Sequence, residues 1–204
     1  MRILLLNQFY KPDVAATGQL LGDLAEGLVR QGHEVHVLCS RRTYAGGNRE
    51  FLPEESLEGV HIHRVRATGF GRKVTAGRLI DYASFYIFAM WQAILMPRMD
   101  VSVCLTTPPF IALIGLLLRW LKGTRMVLWT MDLYPEVAVA YGYLRKTSFV
   151  RWLSSVISKN LYKGSFCIIS LGEVMTERLI EAGAPPSKIV TVHNWAPGHS
   201  FSPR

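Results

Sequence analysis

The sequence predicts an open, mostly parallel α/β sheet of about seven strands with helices on both faces. Three observations lead to that class. Apolar runs of strand length recur along the whole chain. Amphipathic or apolar stretches of helix length separate them. Of the 204 residues 50% are hydrophobic and 19% charged, which supports a substantial core and excludes a disordered chain. Strands joined by helical crossovers lie parallel, and a doubly wound order puts the first strand near the centre. No internal repeat or low-complexity tract is present, so residues 1–204 read as a single domain.

Arg2–Asn7 is a short apolar run ending in a polar loop, hence a buried strand. Thr17 can cap the next helix, which carries Leu20, Leu21, Leu24 and Leu28 on one stripe and stops at Gly32. Glu34–Ser40 is the second strand and Gly59–Arg66, with alternating apolar positions, the third. The charged stretch Arg41–Glu58, which holds Gly46 and Gly47, reads as a mobile loop. Gly77–Met96 is a long helix stopped by Pro97. Val101–Thr106 is a strand, Pro109–Leu121 a helix and Arg125–Met131 a strand. An amphipathic helix over Thr147–Lys163 precedes a strand at Ser165–Leu171, a helix at Glu173–Ala182 and a last strand at Lys188–His193. Such sheets bind ligands outside the carboxyl ends of their strands. The candidate segments are therefore Asn7–Gly18, Arg41–Gly47, Thr106–Pro109, Asp132–Glu136, Leu171–Glu173 and His193–Trp195.

Lys and Arg number 23 against 15 Asp and Glu, a net charge of +8, and the excess is uneven. Residues 59–163 hold 14 basic and 4 acidic side chains. A middle this basic suits an anionic partner: phosphate, nucleic acid or an acidic membrane surface. Within it Trp120, Lys122, Arg125, Arg145, Lys146, Arg151, Trp152, Lys159, Tyr162 and Lys163 interleave cations with aromatics. That mixture fits anionic lipid, where each basic residue near the surface contributes about 1 kcal/mol. No helix-turn-helix, RNP or zinc pattern accompanies it, so nucleic acid is not the expected partner. Leu79–Met96 contains Asp81 and Gln92, and Phe110–Leu118 is short. Neither reads as a transmembrane span, which takes about 20 apolar residues. Met1-Arg2 runs straight into an apolar strand, so no leader is expected, and the protein reads as soluble or surface-bound. Cys39, Cys104 and Cys167 lie in strand-like runs and read as buried small hydrophobes in a reducing compartment.

The first β–α turn lacks Gly-x-Gly-x-x-Gly, which removes a dinucleotide fingerprint, and neither a P-loop nor a Gly-x-Ser-x-Gly elbow is present. His61 and His63 share a strand face without a third ligand, and no Asp-x-Asp occurs, so neither metal nor cofactor is expected. Gly18, at a helix start, either offers bare N–H groups to a phosphate or simply lets the loop enter the helix. Asp132-Leu-Tyr-Pro-Glu136 follows the strand ending Val127-Leu-Trp-Thr-Met131. A carboxylate at the end of a central strand, with Pro135 turning the chain away, points into the cleft. There Asp132 can bind a sugar hydroxyl or assist proton transfer, or else it caps the helix after it.

Several of these strings resemble a known family. Leu5-Leu-Asn-Gln-Phe-Tyr-Lys-Pro-Asp-Val-Ala-Ala-Thr-Gly-Gln19 is similar to the opening of family 4 retaining glycosyltransferases, bacterial enzymes of the GT-B type that assemble surface polysaccharides. Gly32-His-Glu-Val-His-Val37 resembles the second strand of that group. Trp129-Thr-Met-Asp-Leu-Tyr-Pro-Glu136 and Val192-His-Asn-Trp195 resemble the colanic-acid, O-antigen and exopolysaccharide sugar transferases. The resemblance covers essentially the whole chain.

It implies a Rossmann-like N-terminal domain, one half of a GT-B fold, that binds the acceptor. The acceptor would be a saccharide, often lipid-linked, met by a cytoplasmic protein peripheral on the inner face of the membrane. Transfer would be retaining and metal-independent, from a nucleotide-sugar that is a substrate rather than a cofactor. In that scheme Thr17, Gly18 and Gln19 approach the donor diphosphate, and Asp132 and Glu136 are the catalytic candidates that orient the acceptor. Tyr10, Lys11, Asp13, Arg41 and Arg42 shape the acceptor site, while His193 and Asn194 lie at the hinge facing the cleft. Some relatives carry histidine where Asp132 stands. The family's donor pocket, with its Glu-x7-Glu pair, belongs to a C-terminal domain that residues 1–204 do not supply, so that domain or a partner subunit is expected. Glu173 and Glu181 have the spacing but lie on a helix of the first domain, roughly 80° apart. Two other classes stay open: a non-catalytic membrane-docking subunit of a split transferase, and half of a nucleotide-sugar epimerase.

Overall fold

The computed structural model describes residues 1–44, 50–69, 75–137, 142 and 148–195. Along it lie β1 (Arg2–Leu6), α1 (Ala16–Arg30), β2 (Glu34–Ser40), β3 (Glu54–Leu57), β4 (Val60–Val65), α2 (Thr75–Leu95) and β5 (Val101–Cys104). There follow α3 (Ala112–Lys122), β6 (Arg125–Trp129), α4 (Phe149–Gly164), β7 (Cys167–Ser170), α5 (Glu173–Glu181) and β8 (Ile189–Thr191). The strands form one sheet in the order β3-β4-β2-β1-β5-β6-β7-β8. Every neighbouring pair is parallel except β3–β4. β1 stands near the centre as expected, with the succession running one way to β2 and β4 and the other way through β5 to β8.

That reversal divides the helices between the faces, because right-handed crossovers in opposite directions lie on opposite sides. On one side α1 sets Leu21 and Ala25, flanked by Leu20, Leu24 and Leu28, on Ile3, Leu5, Val35, Val37 and Ile62. The other side takes α2 through Phe85 and Ala89, α3 through Ile114 and Leu118, α4 through Leu161 and Tyr162, and α5 through Leu179. Beyond α1 the first face carries no helix over β6 and β7 among the described residues, and there Val127 and Ile169 are only half-buried. Cys167 shares that face. It is half-buried rather than enclosed, unlike Cys39 and Cys104.

Several boundaries move, each for a local reason. An eighth strand, β3, lies inside the stretch read as a loop. Its residues Glu54-Glu55-Ser56-Leu57 show no apolar run because an edge strand pairs on one side only. Residues 45–49 of that stretch, with Gly46 and Gly47, lie outside the described residues. Helix α1 begins at Ala16 behind Ala15, without a side-chain cap. Thr17 is therefore inside the first turn, and its hydroxyl accepts from Asn7 Nδ2 at 3.3 Å instead of capping. At the other end Gly32 takes a left-handed backbone (φ +80°), the conformation that suits glycine past a helix end. Ser148 caps α4, its hydroxyl accepting from the Arg151 N–H at 3.2 Å.

Candidate active site at the carboxyl edge of the sheet

The loop leaving β1 is held by a fully buried Asn7. Its amide donates to the Phe9 carbonyl at 2.7 Å and to Thr17, joining the strand end to the first turn of α1. Gly18 is buried in that turn, and a Cβ there would stand 3.1 Å from the Phe9 carbonyl oxygen. Glycine is thus demanded by the close approach of loop and helix. The first intrahelical bond runs from the Gln19 N–H to Ala15 O at 3.0 Å, so the earlier N–H groups of the turn point out of the helix end. Gln19 is exposed.

The five residues expected to shape an acceptor site gather around β1 and β2, with their polar atoms largely engaged. Tyr10 is only 3% exposed, and burial raises its hydroxyl pKa well above the ordinary value. Lys11 Nζ donates to Glu26 at 2.7 Å and to Asp23 at 3.1 Å. Burial opposes its charge, but those two bonds outweigh burial and hold its pKa up. The Asp13 carboxylate accepts from the N–H groups of Val14 and Tyr44, tying the first loop to the one after β2. Arg41 and Arg42 both reach Glu50, at 3.3 and 3.8 Å. Beneath them Arg64, 4% exposed, pairs with Glu55, donates to the Lys11 carbonyl at 2.8 Å and lies 4.9 Å above the Phe51 ring. A buried guanidinium is stable only when so enclosed by partners.

Asp132 is placed differently. Thr106, past the end of β5, accepts from the backbone N–H groups of Met131 at 3.2 Å and Asp132 at 3.0 Å, fixing where the chain turns at the end of β6. Among the described residues no hydrogen bond or ion pair reaches the Asp132 carboxylate, and its half-burial raises the pKa above the ordinary carboxylate value. An uncompensated carboxylate that loses hydration holds its proton more firmly. On one side Asp132 borders an open cleft of about 330 Å³ with Leu133, Glu136, Met175 and Arg178. On the other it borders a small apolar pocket with Leu105, Phe110, Leu128, Thr130 and Leu161. Glu136 is exposed and shares only the open cleft. Phe110 adopts a left-handed backbone (φ +66°), an unfavourable state for a bulky side chain of the kind found at ligand sites.

A model of the glycosyl transferase 4-like domain matches residues 16–195. The chain belongs to that family. It is 23% identical over 205 residues to the putative colanic acid biosynthesis glycosyl transferase WcaI of Escherichia coli, covering 96% of this chain and 50% of that protein. With the probable glycosyltransferase WbjE of Pseudomonas aeruginosa it shares 29% identity over 99 residues, 48% of this chain and 25% of that one. The chain thus spans half or less of the relatives it matches. The fold is similar to sucrose-phosphate synthase from Thermosynechococcus elongatus, with a TM-score of 0.66 at 12% identity over 95% of this chain and 48% of that one. Anabaena HepE, solved with UDP and glucose, aligns with a TM-score of 0.57 at 15% identity, over 95% and 44%. The molecule is a glycosyltransferase-family domain of GT-B type with a Rossmann-like sheet.

In this glycosyltransferase domain the segment after β8 turns back across the carboxyl edge. His193 Nδ1 bonds the Leu171 carbonyl at 2.9 Å, and Asn194 is exposed beside it. Trp195 stacks on Trp129, with ring centroids 5.6 Å apart, and its Nε1 donates to Asp23 at 3.3 Å. Asp23 therefore links Lys11 of the first loop to the last described residue. The His61–His63 pair gains His36 from β2, whose Nδ1 lies 3.1 Å from His63 Nε2. Among the described residues no group of three His, Cys, Asp or Glu is arranged to hold a metal ion. Glu173 and Glu181 lie at opposite ends of α5, and Glu181 pairs with Arg178 at 3.3 Å.

The aromatic and basic residues divide as well. Trp120 and Trp152 are 72% and 59% exposed, but Tyr162 is a core residue. Lys122 is drawn inward, its ammonium donating to the carbonyls of Ala93, Ile94 and Met96 at the end of α2. Arg145 and Lys146 lie outside the described residues. Sequence reasoning placed Thr106 in a candidate segment but did not single out Arg64 or Thr130. Strand parity carried the signal for Thr130: Leu128 faces the α2–α5 side, so Thr130 and Asp132 emerge on that same side.

Proposed function

We propose that the domain is the acceptor-side half of a retaining, metal-independent glycosyltransferase. It would move a sugar from a nucleotide-sugar to a lipid-linked saccharide in surface polysaccharide assembly. The observation that carries this reading is the Asp132 carboxylate: half-buried, without a protein partner among the described residues, held from its backbone and facing a cleft. Its raised proton affinity suits it to accept a hydrogen bond from an acceptor hydroxyl and to take up the proton. Glu136, on the open side, contributes orientation and charge. The helix end at Thr17-Gly18-Gln19 supplies the N–H groups ahead of Gln19, and the positive end of a dipole, for part of the leaving diphosphate. The cations Lys11, Arg41 and Arg42 are already paired, so a C-terminal domain or partner subunit must complete that stabilisation. The complex of HepE with UDP and glucose supports a nucleotide-sugar donor.

The outer surfaces of α2, α3 and α4 favour work beside the cytoplasmic face of an anionic membrane. Trp91, Trp120 and Trp152 are exposed there, and the Phe149 and Trp152 rings stack 5.4 Å apart. No helix among the described residues is long and apolar enough to cross a membrane. The same surface favours a second reading, a docking subunit without transfer activity. Asp132→Asn in the full-length protein separates the two. Loss of a group that orients and deprotonates the acceptor lowers kcat/KM about a hundredfold or more. Undiminished transfer would remove Asp132 from the chemistry.

A further inference from the structure

The pocket beside Asp132 has a size and polarity that specify a ligand group more narrowly than "a sugar hydroxyl". Its walls are Leu105, Phe110, Ala112, Leu128 and Leu161, with the edges of Tyr134 and Tyr162. It offers the centre of a water-sized sphere about 30 Å³. One water needs about 10–15 Å³ by that measure, so the space takes two or three non-hydrogen atoms. A lipid chain is too long for it and a single hydroxyl leaves it part-empty.

Besides the Asp132 carboxylate, a buried hydroxyl of the lining has no partner among the described residues. Thr130 is 2% exposed, and its hydroxyl oxygen makes no hydrogen bond among the described residues. A buried hydroxyl left unpaired is unfavourable, and a ligand carbonyl accepting from it would relieve that cost. Of the other buried hydroxyls of the lining, Ser158 already donates to the Tyr134 carbonyl at 2.7 Å, and Thr106 accepts from the Met131 and Asp132 N–H groups. A hydrogen-bond donor at Thr130 thus lies in the same small apolar space that Asp132 also lines.

We propose that this pocket receives the acetamido group of an N-acetylated amino-sugar, making the acceptor a 2-acetamido sugar. The methyl fills the space between Phe110, Ala112 and Leu128. The carbonyl accepts from the Thr130 hydroxyl, and the amide N–H donates to Asp132. This rests on the reading of Asp132 as the acceptor group and adds the chemical class of the acceptor.

The test uses the full-length protein and two pairs of probes: methyl glycosides of glucose and N-acetylglucosamine, and of galactose and N-acetylgalactosamine. Saturation-transfer NMR reads their dissociation constants and the acetyl methyl signal. One buried methyl plus one hydrogen bond predicts about tenfold tighter binding of an acetamido sugar than of its hydroxyl partner. Thr130→Val, which keeps the shape and removes the donor, should shrink that ratio severalfold. Ala112→Val, which fills the pocket, should abolish saturation of the acetyl methyl. Thermal melts confirm that both variants fold, and Thr130→Val serves if Ala112→Val does not. Equal affinity within both pairs, or a preference that survives Thr130→Val, overturns the acetamido assignment. If the equal affinities still fall with Asp132→Asn, the acceptor site at Asp132 stands without it. If they are indifferent to Asp132→Asn, both readings fall.

Discussion

Asp132 and Arg64 show how differently a charge withdrawn from water can be compensated. Arg64 is the more enclosed, yet its guanidinium is surrounded by Glu55, the Lys11 carbonyl and the Phe51 ring, so its charge serves the fold. Asp132 is only half enclosed and has none of these, and its cost to stability has a definite pH dependence. Unfolded, it ionises near 3.8; folded, burial raises its pKa, so the folded chain binds the proton more tightly. The penalty is absent below about 3.8, grows as pH rises through the folded pKa and is complete above it. Asp132→Asn is therefore expected to melt with the wild type near pH 3 and above it at pH 7. A variant that melts lower at pH 7 would mean that Asp132 has a stabilising partner. The residues of this site were unevenly visible in sequence. Asp132 stood out as a carboxylate ending an apolar strand and Thr106 as the start of a strand-end segment, whereas Thr130 looks like an ordinary threonine until the fold encloses it.

At the level of elements, periodicity revealed the helices and the parallel strands, because each must bury an apolar face. It did not reveal β3, whose polar residues are secured by pairing with β4 and by ion pairs such as Glu55–Arg64. Nor did it reveal that Lys122, expected on a lipid-facing surface, closes the end of α2 from the neighbouring helix. Burial lowers the Lys122 pKa, while its three carbonyl acceptors at the negative end of the α2 dipole reward the charge. Lys122→Met is expected to lower unfolding free energy by about 1–3 kcal/mol, read from the denaturant midpoint at unchanged slope. An unchanged midpoint would show that the ammonium is held no better than by water.

The whole molecule presents two surfaces that differ in kind. At the carboxyl edge, loops from β1, β2, β5, β6 and β8 converge; on the α2–α4 side, aromatic rings stand among cations. If the latter meets lipid, full-length protein should sediment with vesicles containing phosphatidylglycerol and far less with phosphatidylcholine alone, and added salt should weaken binding. Trp120→Glu together with Trp152→Glu should reduce the bound fraction at least about tenfold without lowering Tm, since both side chains are exposed. Binding unaffected by the pair would move the docking surface elsewhere.

The order of strands and helices, the central first strand, the basic middle and the carboxylate at the end of β6 were determined by the sequence alone. Each follows from local periodicity, composition or a short string. The tertiary structure decided which charges remain available. Lys11, Arg41 and Arg42 are engaged by Glu26, Asp23 and Glu50, while Asp132 faces a pocket without a partner among the described residues. The physical reason is that a side chain's chemistry depends on its neighbours. Those neighbours come from distant parts of the chain, brought together only when the sheet closes around its core.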